Sequence, residues 1–239
     1  MTQLLMPRQK LQKEFMLDPS LALYLPLYEP DGVSFMSKDR YGHLCTASGA
    51  LWTPQGRAFG GVADYIDCGD KDLFSFTDGV TDIPFSIEAW IKPDNIAGTR
   101  QICSKFKGGI SYEWVFRLTS GKLTIALSDS ANFGNRIGRQ YNTVISITAF
   151  SHVMAIYDGT ELEGGLSLYL NGIRVDDTAF SAGVYPGMTN LAHPLEIGRQ
   201  NQPLEYFSGT IGELRIYRYP ALSVGERIRN YQMTKWRYQ

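Results

Sequence analysis

The chain has 239 residues, 44% of them hydrophobic and 20% charged, and its 23 basic and 24 acidic residues give a formal net charge of −1. This length suits one large all-β domain or two small ones. The composition is that of a globular protein, and a chain of this size can bury enough apolar surface to be stable without disulfide bonds. The balanced charge excludes a general affinity for polyanions, so no nucleic-acid partner is predicted. No apolar stretch approaches the length of a membrane span, so no membrane insertion is predicted.

The three cysteines, Cys45, Cys68 and Cys103, are odd in number, and no two are spaced as a CxxC pair. This pattern predicts neither a disulfide framework nor a zinc site, and we expect three small buried side chains. Residues 1–20 contain no apolar run of signal-peptide length and no small-residue cleavage site. We therefore expect a protein that is not exported by the usual route.

The N-terminal third of the chain has few clear strand signals. Residues 1–18 show no strand pattern, and we predict an arm there. Leucine then recurs at every second position from Leu21 to Leu27, with prolines close by, which predicts an edge strand. Residues 30–62 are rich in Gly, Ser, Asp and Pro, and we predict a loop-rich segment.

Short alternating apolar runs bounded by turn residues dominate the rest of the chain. The strands they predict cover residues 65–68, 85–91, 102–106, 114–118, 122–127, 152–157, 166–170, 173–175, 195–198 and 211–217. Two hairpins are predicted, one at Ser120-Gly121 and one at Asn171-Gly172, because Asn-Gly readily adopts the positive φ angles of a type I′ turn.

One helix is predicted from Leu222 to Met233, with Ser223 and Glu226 spaced as a capping box. Many short strands, one late helix and no β–α–β alternation predict an all-β fold, an antiparallel two-sheet β-sandwich (jelly roll) with one short C-terminal helix. We divide the chain into an N-terminal arm (1–18), a jelly-roll domain (19–234) and a C-terminal tail (235–239).

Several of these segments resemble those of laminin-G-like jelly rolls, and they do so in the family's order. PFSIEAWIKP at residues 84–93 resembles that family's FTVSAWVKP strand. YDG and LYLNG, at residues 157–159 and 168–172, resemble its YDG and LYVNG pair. FSGTIGELRIY at residues 207–217 resembles FNGTIDEVRIY, and the upstream segment FGGVADYI resembles FDGVDDYV. The match spans residues 20–232.

The resemblance to the laminin-G-like and concanavalin A-like lectin-glucanase family implies a binding module. Members act mostly outside the cytoplasm on glycans, proteins or cell surfaces, and others are structural proteins of phages and viruses. Because function is added to a fold by its sites, the resemblance predicts the fold more directly than the ligand.

Jelly rolls of this family often hold one calcium ion, so the resemblance implies a structural calcium site, although no cofactor is required. Asp39, Asp64 and Glu213 are the candidate ligands by position. Calcium needs six or more oxygens, and Gly60, Ala63 and Gly212 stand where the family has acids. We therefore expect a weakened or lost site.

The sequence does not favour catalysis. Glycoside hydrolases of this fold usually carry their carboxylates on one strand as an E-x-D-x-E pattern, and this chain has none. Glu161 and Glu163 come closest, but they lie between Asp158-Gly159 and Gly164-Gly165, the context of a solvated turn. The chain also lacks a Gly-x-Ser-x-Gly elbow, so we expect structural roles for its histidines, His43, His152 and His193.

Aromatic side chains in or beside loops are the candidate ligand-binding residues, because sugar rings stack on exposed aromatic faces. These candidates are Tyr112, Trp114, Phe133, Tyr141, Tyr185 and Tyr206. The basic and aromatic C-terminus is a second candidate surface, for docking onto a neighbouring subunit. It comprises Arg227, Arg229, Lys235, Trp236, Arg237 and Tyr238.

These features lead to three functional hypotheses. The first is a non-catalytic structural or recognition module on a virion surface, such as a capsid decoration or attachment protein, assembled in the cytoplasm. It would have protein partners in a particle or a homo-oligomer. The second is a carbohydrate-binding, lectin-like module of a secreted or cell-surface protein, with surface glycans as ligands. The third, less favoured, is a polysaccharide hydrolase.

Overall fold

The structure is a computed structural model. It describes residues 18–109, 111–129, 132–201 and 204–239, the side chains of Asn132 and Phe133 excepted. The predicted arm therefore lies outside the described residues except for Asp18.

The described chain is mostly β-strand. The strands are β1 (Leu21–Leu25), β2 (Ser34–Met36), β3 (Leu44–Ser48), β4 (Leu51–Thr53), β5 (Gly56–Gly60), β6 (Tyr65–Asp67), β7 (Phe85–Pro93), β8 (Thr99–Lys107), β9 (Ser111–Thr119), β10 (Lys122–Asp129), β11 (Asn132–Val144), β12 (Ser151–Tyr157), β13 (Leu166–Leu170), β14 (Ile173–Arg174), β15 (Thr178–Ala182), β16 (Glu196–Ile197), β17 (Arg199–Gln200), β18 (Glu205–Tyr206) and β19 (Ser208–Arg218). The helices are α1 (Val224–Thr234) and the 3-10 turns Asp72–Phe74, Glu163–Gly165 and Lys235–Arg237.

The strands form two large antiparallel sheets and a small hairpin. Sheet A has 8 strands in the order β14-β13-β12-β7-β19-β5-β4, with β1 also paired to β19. Sheet B has 9 strands in the order β15-β11-β10-β9-β8-β16-β6-β3-β2, and β17 pairs with β18 alone. This arrangement confirms the predicted two-sheet antiparallel sandwich with one short C-terminal helix.

Strand β7 shows how the core is built. Phe85, Ile87, Ala89 and Ile91 share the inner face of sheet A because side chains alternate along a strand, and all four are buried in the main core. Opposite them, on sheet B, the Trp114 side chain is fully buried, and its indole N–H donates to the Phe74 carbonyl over 2.8 Å. The three cysteines are free and buried in the same core, as predicted.

Both predicted hairpins are confirmed. Asn171 and Gly172 have φ angles of 52° and 81°, and Ser120 and Gly121 have φ angles of 49° and 77°. Positive φ at both central positions is the signature of the type I′ turn, whose twist matches that of the flanking strands.

The predicted helix is confirmed as α1. The Ser223 side chain accepts from the Glu226 amide, and the Glu226 carboxylate accepts from the Ser223 amide, so the capping box is complete. The helix lies over the outer face of sheet A, where the Trp90 indole N–H donates to the Thr234 hydroxyl over 2.8 Å. No helix in the described part of the chain is long and apolar enough to cross a membrane.

Two predictions of local structure were wrong or incomplete. Residues 30–62 contain β2 to β5 rather than only loops, because strands of three to five residues carry too little pattern to be detected. Strand β11 was missed, since its sequence alternates polar residues and glycine with few apolar ones. Strand β1 pairs with β19 alone among the described strands, which confirms the predicted edge strand, and it is buried along its whole length.

Candidate functional site

Three of the six predicted ligand-binding aromatics lie in the core or against it. Trp114 and Tyr185 are buried, and the Tyr185 hydroxyl donates to Asp82 Oδ2 over 2.7 Å. Tyr141 is partly buried and packs against the main core. Trp114 and Tyr185 therefore present no ring face to a ligand, which corrects the prediction. It failed because sequence position does not show which strand face a ring occupies. The Phe133 side chain lies outside the described part.

The remaining predicted aromatics, Tyr112 and Tyr206, are half-buried. Tyr112 lies on β9 of sheet B, whereas Tyr206 lies on β18 of the small hairpin. Tyr112 packs edge-on against Phe106, with ring centroids 5.0 Å apart. The Tyr112 and Phe106 rings form one apolar cluster with Val115, Ala126 and Phe180 on the outer face of sheet B. We call these five residues the sheet B patch.

The floor of the sheet B patch is flat because small residues align across its strands. Val115 pairs with Ala126, Ala126 with Gly138, and Gly138 with Phe180. A Cβ added at Gly138 would lie 2.2 Å from Phe180 Cζ and 2.7 Å from the Ile125 carbonyl oxygen. The glycine is therefore required for the Phe180 ring to lie across the sheet.

Polar side chains border this apolar patch. Arg117 Nη1 donates to Glu205 Oε2 over 3.4 Å, and the Gln140 amide donates to the Thr124 hydroxyl over 3.1 Å. Glu205 comes from the β17–β18 hairpin, which is held against β8 where the Ser104 hydroxyl donates to a hairpin carbonyl. The face thus combines aromatic rings with hydrogen-bonding groups at its border, the composition of many ligand sites.

The predicted calcium ligands are engaged in other contacts. Asp39 accepts from the amides of Tyr24, Tyr41 and Gly42. Asp64 accepts from the Gly60 amide. Glu213 is buried and ion-paired, as described below. Across the residues that the structure describes, no group of three or more His, Cys, Asp or Glu side chains could hold a metal ion.

A buried charged cluster lies between sheet A and helix α1. We call it the Glu88 network, and it comprises Glu88, His152, Glu213, Arg215, Tyr217 and Asn230. The Arg215 guanidinium donates to Glu88 Oε1 over 3.1 Å and to Glu213 Oε1 over 3.0 Å. Glu88 Oε1 also accepts from the Tyr217 hydroxyl and the Asn230 amide. Asn230 is the helix residue that closes the cluster from above.

The two carboxyl groups of this network have opposite pKa shifts. Burial raises the pKa of Glu88, but contact with His152 and the charge of Arg215 outweigh it and hold the pKa at about 2. Burial raises the pKa of Glu213 above its ordinary value, and the Arg215 charge offsets only part of this. Two neighbouring carboxyl groups with opposite pKa shifts are typical of acid–base catalysis. The Glu88 and Glu213 side chains, however, are only 1% and 3% exposed, which leaves them out of reach of a substrate.

All three histidines are buried, as expected for structural residues. His43 Nε2 lies 3.0 Å from the Ala22 carbonyl oxygen, and His193 Nε2 lies 3.7 Å from the Glu196 carboxylate. His152 Nε2 lies 3.4 Å from Glu88 Oε2. Each imidazole thus lies beside an acceptor within the fold.

A second aromatic surface lies where the C-terminus crosses the end of sheet A. Trp52 and Trp236 are 42% and 48% exposed, whereas the two other tryptophans are fully buried. The Trp52 indole N–H donates to the Tyr28 carbonyl over 3.0 Å. The Arg237 guanidinium lies 3.6 Å from the centroid of the Tyr28 ring and 4.7 Å from that of Trp236. We call these four residues the tryptophan strip.

Trp236 and Arg237 belong to the C-terminal surface predicted from the sequence, whereas Trp52 and Tyr28 were not predicted. Trp52 lies in the segment predicted to be loop-rich, and Tyr28 lies in the turn after β1. A tryptophan in a glycine- and proline-rich stretch was the available signal, since an exposed indole is uncommon.

Comparison with known proteins identifies the family. The family model of the concanavalin A-like lectin/glucanases superfamily matches residues 59–226. No curated protein matches the chain. Among solved structures, the binding domain of botulinum neurotoxin DC in complex with rat synaptotagmin II superimposes with a TM-score of 0.64 at 14% identity, covering 89% of this chain and 51% of that one.

Two further structures show the same fold. The Trypanosoma rangeli sialidase in complex with sialic acid superimposes with a TM-score of 0.64 at 14% identity, over 92% of this chain and 34% of that chain. A structure of botulinum neurotoxin type C, whose cell entry depends on interaction with two ganglioside molecules, superimposes with a TM-score of 0.64 at 13% identity, over 89% of this chain and 51% of that chain.

The chain thus spans about half of each neurotoxin domain and about a third of the sialidase. At these identities the likeness shows the fold alone. The family model, by contrast, covers more than half of the chain, and the chain belongs to the concanavalin A-like lectin/glucanases superfamily.

Proposed function

We propose that the chain is a non-catalytic recognition module that binds glycans on the outer face of sheet B. The observation that carries this proposal is the sheet B patch, where Tyr112 and Phe180 place half-buried rings on a flat floor. Aromatic faces bury the apolar face of a sugar ring, and polar groups at the border, such as Arg117 and Glu205, bind hydroxyls. Family membership and the sialic acid and ganglioside ligands of the structural neighbours support the same ligand class.

Glycan-array binding by the wild-type chain and by Tyr112→Ala and Phe180→Ala variants tests this proposal. We expect loss of roughly 1–3 kcal/mol per stacked ring, which is a drop in affinity of about fivefold to a hundredfold. Tyr219→Ala is the matched control, because Tyr219 is 73% exposed and lies outside the patch. Unchanged glycan retention by both patch variants would contradict the proposal.

The absence of catalysis is the second part of the proposal. The Glu88 network contains the carboxyl pair most like that of an enzyme, but α1 covers it and Arg215 bridges its two acids. Glu161 and Glu163 lie between β12 and β13, and Glu163 begins the 3-10 turn before β13. We expect no release of reducing sugar from any glycan that the chain retains. Release that Glu88→Gln abolishes would instead indicate a glycoside hydrolase.

Action at a particle surface, with assembly in the cytoplasm, is the third part of the proposal. Support comes from the edge hairpin β2–β3, where Val33, Met36 and Leu44 are 67%, 49% and 60% exposed. Met36 pairs directly with Leu44, and apolar groups exposed side by side favour contact with another protein.

Light scattering of the full chain with and without calcium tests this part. A trimer or larger assembly that Met36→Lys and Leu44→Lys convert to a monomer supports it. A monomeric wild-type chain that still binds glycans favours a stand-alone lectin module outside the cell.

A further inference from the structure

We propose that the tryptophan strip is a separate binding site for a saccharide that bears a carboxylate, such as a sialic or uronic acid. The site is built around Arg237, whose guanidinium is stacked on the Tyr28 ring at 3.6 Å and lies 4.7 Å from the Trp236 ring centroid. It is distinct from the sheet B patch and lies at the outer face and edge of sheet A.

The stacked guanidinium is oriented to receive an anion. A guanidinium that contacts aromatic rings through its faces keeps its five N–H donors in its own plane. Within the described residues, the Arg237 side chain makes no hydrogen bond and no ion pair, whereas the side chains of Arg117, Arg174 and Arg215 each have a carboxylate partner. A planar carboxylate matches this fork with two parallel hydrogen bonds.

The surrounding charges favour an acidic ligand. The segment from Val224 to Gln239 carries four basic side chains and one acidic one, Glu226. Glu213, on which the Arg237 charge acts, is buried and paired with Arg215. Glu29, next to Tyr28 in the sequence, lies 3.5 Å from Lys38 Nζ.

The exposed rings favour a sugar over a protein as the bearer of the carboxylate. Trp52 and Trp236 present about half of their surface, and an indole face buries the apolar face of a pyranose ring. A stable protein interface needs roughly 20–30 residues on each side, whereas four side chains make up the strip. Their extent fits a short oligosaccharide.

The test is titration of the full chain with 3′-sialyllactose and with lactose, followed by tryptophan fluorescence and by NMR. We expect the acidic sugar to bind at least about tenfold more tightly than lactose, because a charge-assisted bidentate contact is worth at least that factor. Arg237→Gln should abolish this preference, and Arg237→Lys should restore only part of it, since lysine lacks the planar fork. Trp236→Ala should weaken binding of both sugars.

Arg174→Gln is the matched control, because the Arg174 side chain is 58% exposed and remote in sequence from the strip. Its binding should equal that of the wild type, and thermal melting should confirm that each variant is folded. Equal affinity of the wild type for both sugars, or full preference in Arg237→Gln, would overturn the proposal. So would Arg237-dependent binding of a Glu-rich peptide without binding of the sugar, which would assign the strip to a protein partner.

The Tyr112→Ala variant separates this proposal from the proposed function. Carboxylate-dependent binding that survives Tyr112→Ala and is lost in Arg237→Gln supports the strip as a separate site. If Tyr112→Ala removes all binding of the acidic sugar, the strip proposal fails and the sheet B proposal stands.

Discussion

The outer faces of the two sheets differ in how far other elements of the fold cover them. On sheet A, helix α1 and the C-terminal residues cover the strands, and Glu88, Arg215 and Tyr217 are at most 1% exposed. On sheet B no helix among the described residues covers the strands, and an aromatic cluster and the β17–β18 hairpin lie there instead. A covered face needs its polar groups satisfied internally, whereas an open one keeps side chains within reach of ligands.

Two buried glutamates sharpen the comparison. Glu88, under sheet A's helix, has its pKa held at about 2. Burial raises the pKa of Glu113, on sheet B, to about 7, although Lys105 Nζ lies 2.6 Å from it and lowers the pKa. Glu88 Oε1 accepts from Arg215, Tyr217 and Asn230, whereas Lys105 is shared between Glu113, Asp70 and the Leu191 carbonyl. Glu113 also accepts from the Leu191 amide, so the two carboxylates differ less in their donors than in the charges beside them. Glu88 lies beside both Arg215 and His152, whereas Lys105, the cation beside Glu113, is shared with Asp70.

The largest expected effect on stability comes from removing the cation of the Glu88 network under helix α1. Arg215→Met leaves the buried carboxylates of Glu88 and Glu213 without their shared cation. We expect the free energy of unfolding to fall by about 3–5 kcal/mol, measured by urea denaturation. Arg174→Met is the control, since the Arg174 side chain is 58% exposed and its pair with Asp176 is expected to contribute at most about 1 kcal/mol. Equal losses for the two variants would show that the Glu88 network does not stabilise the fold.

A smaller loss of stability is expected from a substitution at Gly138, beneath the Phe180 ring of the sheet B patch. Gly138→Ala places a Cβ 2.2 Å from Phe180 Cζ, so the ring must move or the strand must shift. We expect a loss of about 1–3 kcal/mol and weaker glycan retention. Gly164→Ala is the control, because its added Cβ has no neighbour within 4 Å and should change stability by less than about 0.5 kcal/mol. A stable Gly138→Ala protein with full binding would argue against the ring platform.

The pH dependence of stability should differ between the two glutamates. Glu113 has a pKa raised from 4.5 to about 7, so the folded state binds its proton more tightly, and this contribution to stability is lost as pH rises from about 4.5 to 7. Glu88 has a pKa lowered from 4.5 to about 2, so its contribution is present above pH 4.5 and lost as pH falls toward 2.

Glu113→Gln should therefore flatten the stability profile between pH 4.5 and 7, and Glu88→Gln should flatten it between pH 2 and 4.5. Urea denaturation at a series of pH values gives both slopes. If the two variants showed the same dependence of stability on pH, Glu88 and Glu113 would not have the opposite pKa shifts described above.

The smallest expected effect is that of calcium. Asp39, Asp64 and Glu213 are each held by contacts within the fold, and calcium requires six or more oxygens. We expect the melting temperature to change by less than about 1 °C between EDTA and millimolar calcium, since a ligand that does not bind the folded state does not stabilise it. A larger increase, lost in Asp39→Asn, would place a calcium site in the loops.

Local sequence patterns determined much of this protein. Alternation along β7, the Asn171-Gly172 turn and the Ser223–Glu226 capping box act over a few residues, so their structures could be predicted. The same patterns, in their order along the chain, indicated the family.

Tertiary structure alone decided the sites. Trp114 and Trp52 are the same residue type in comparably polar surroundings, yet one is fully buried and the other is 42% exposed. Arg237 stacks on Tyr28, a residue more than two hundred positions away, and Glu88 accepts from Asn230, which is 142 positions away. The exposure of a side chain and the residues that it contacts depend on which distant strands and loops pack together. No local sequence pattern encodes that packing. The fold therefore follows from short-range preferences, whereas burial, pKa shifts and binding surfaces follow from long-range contacts.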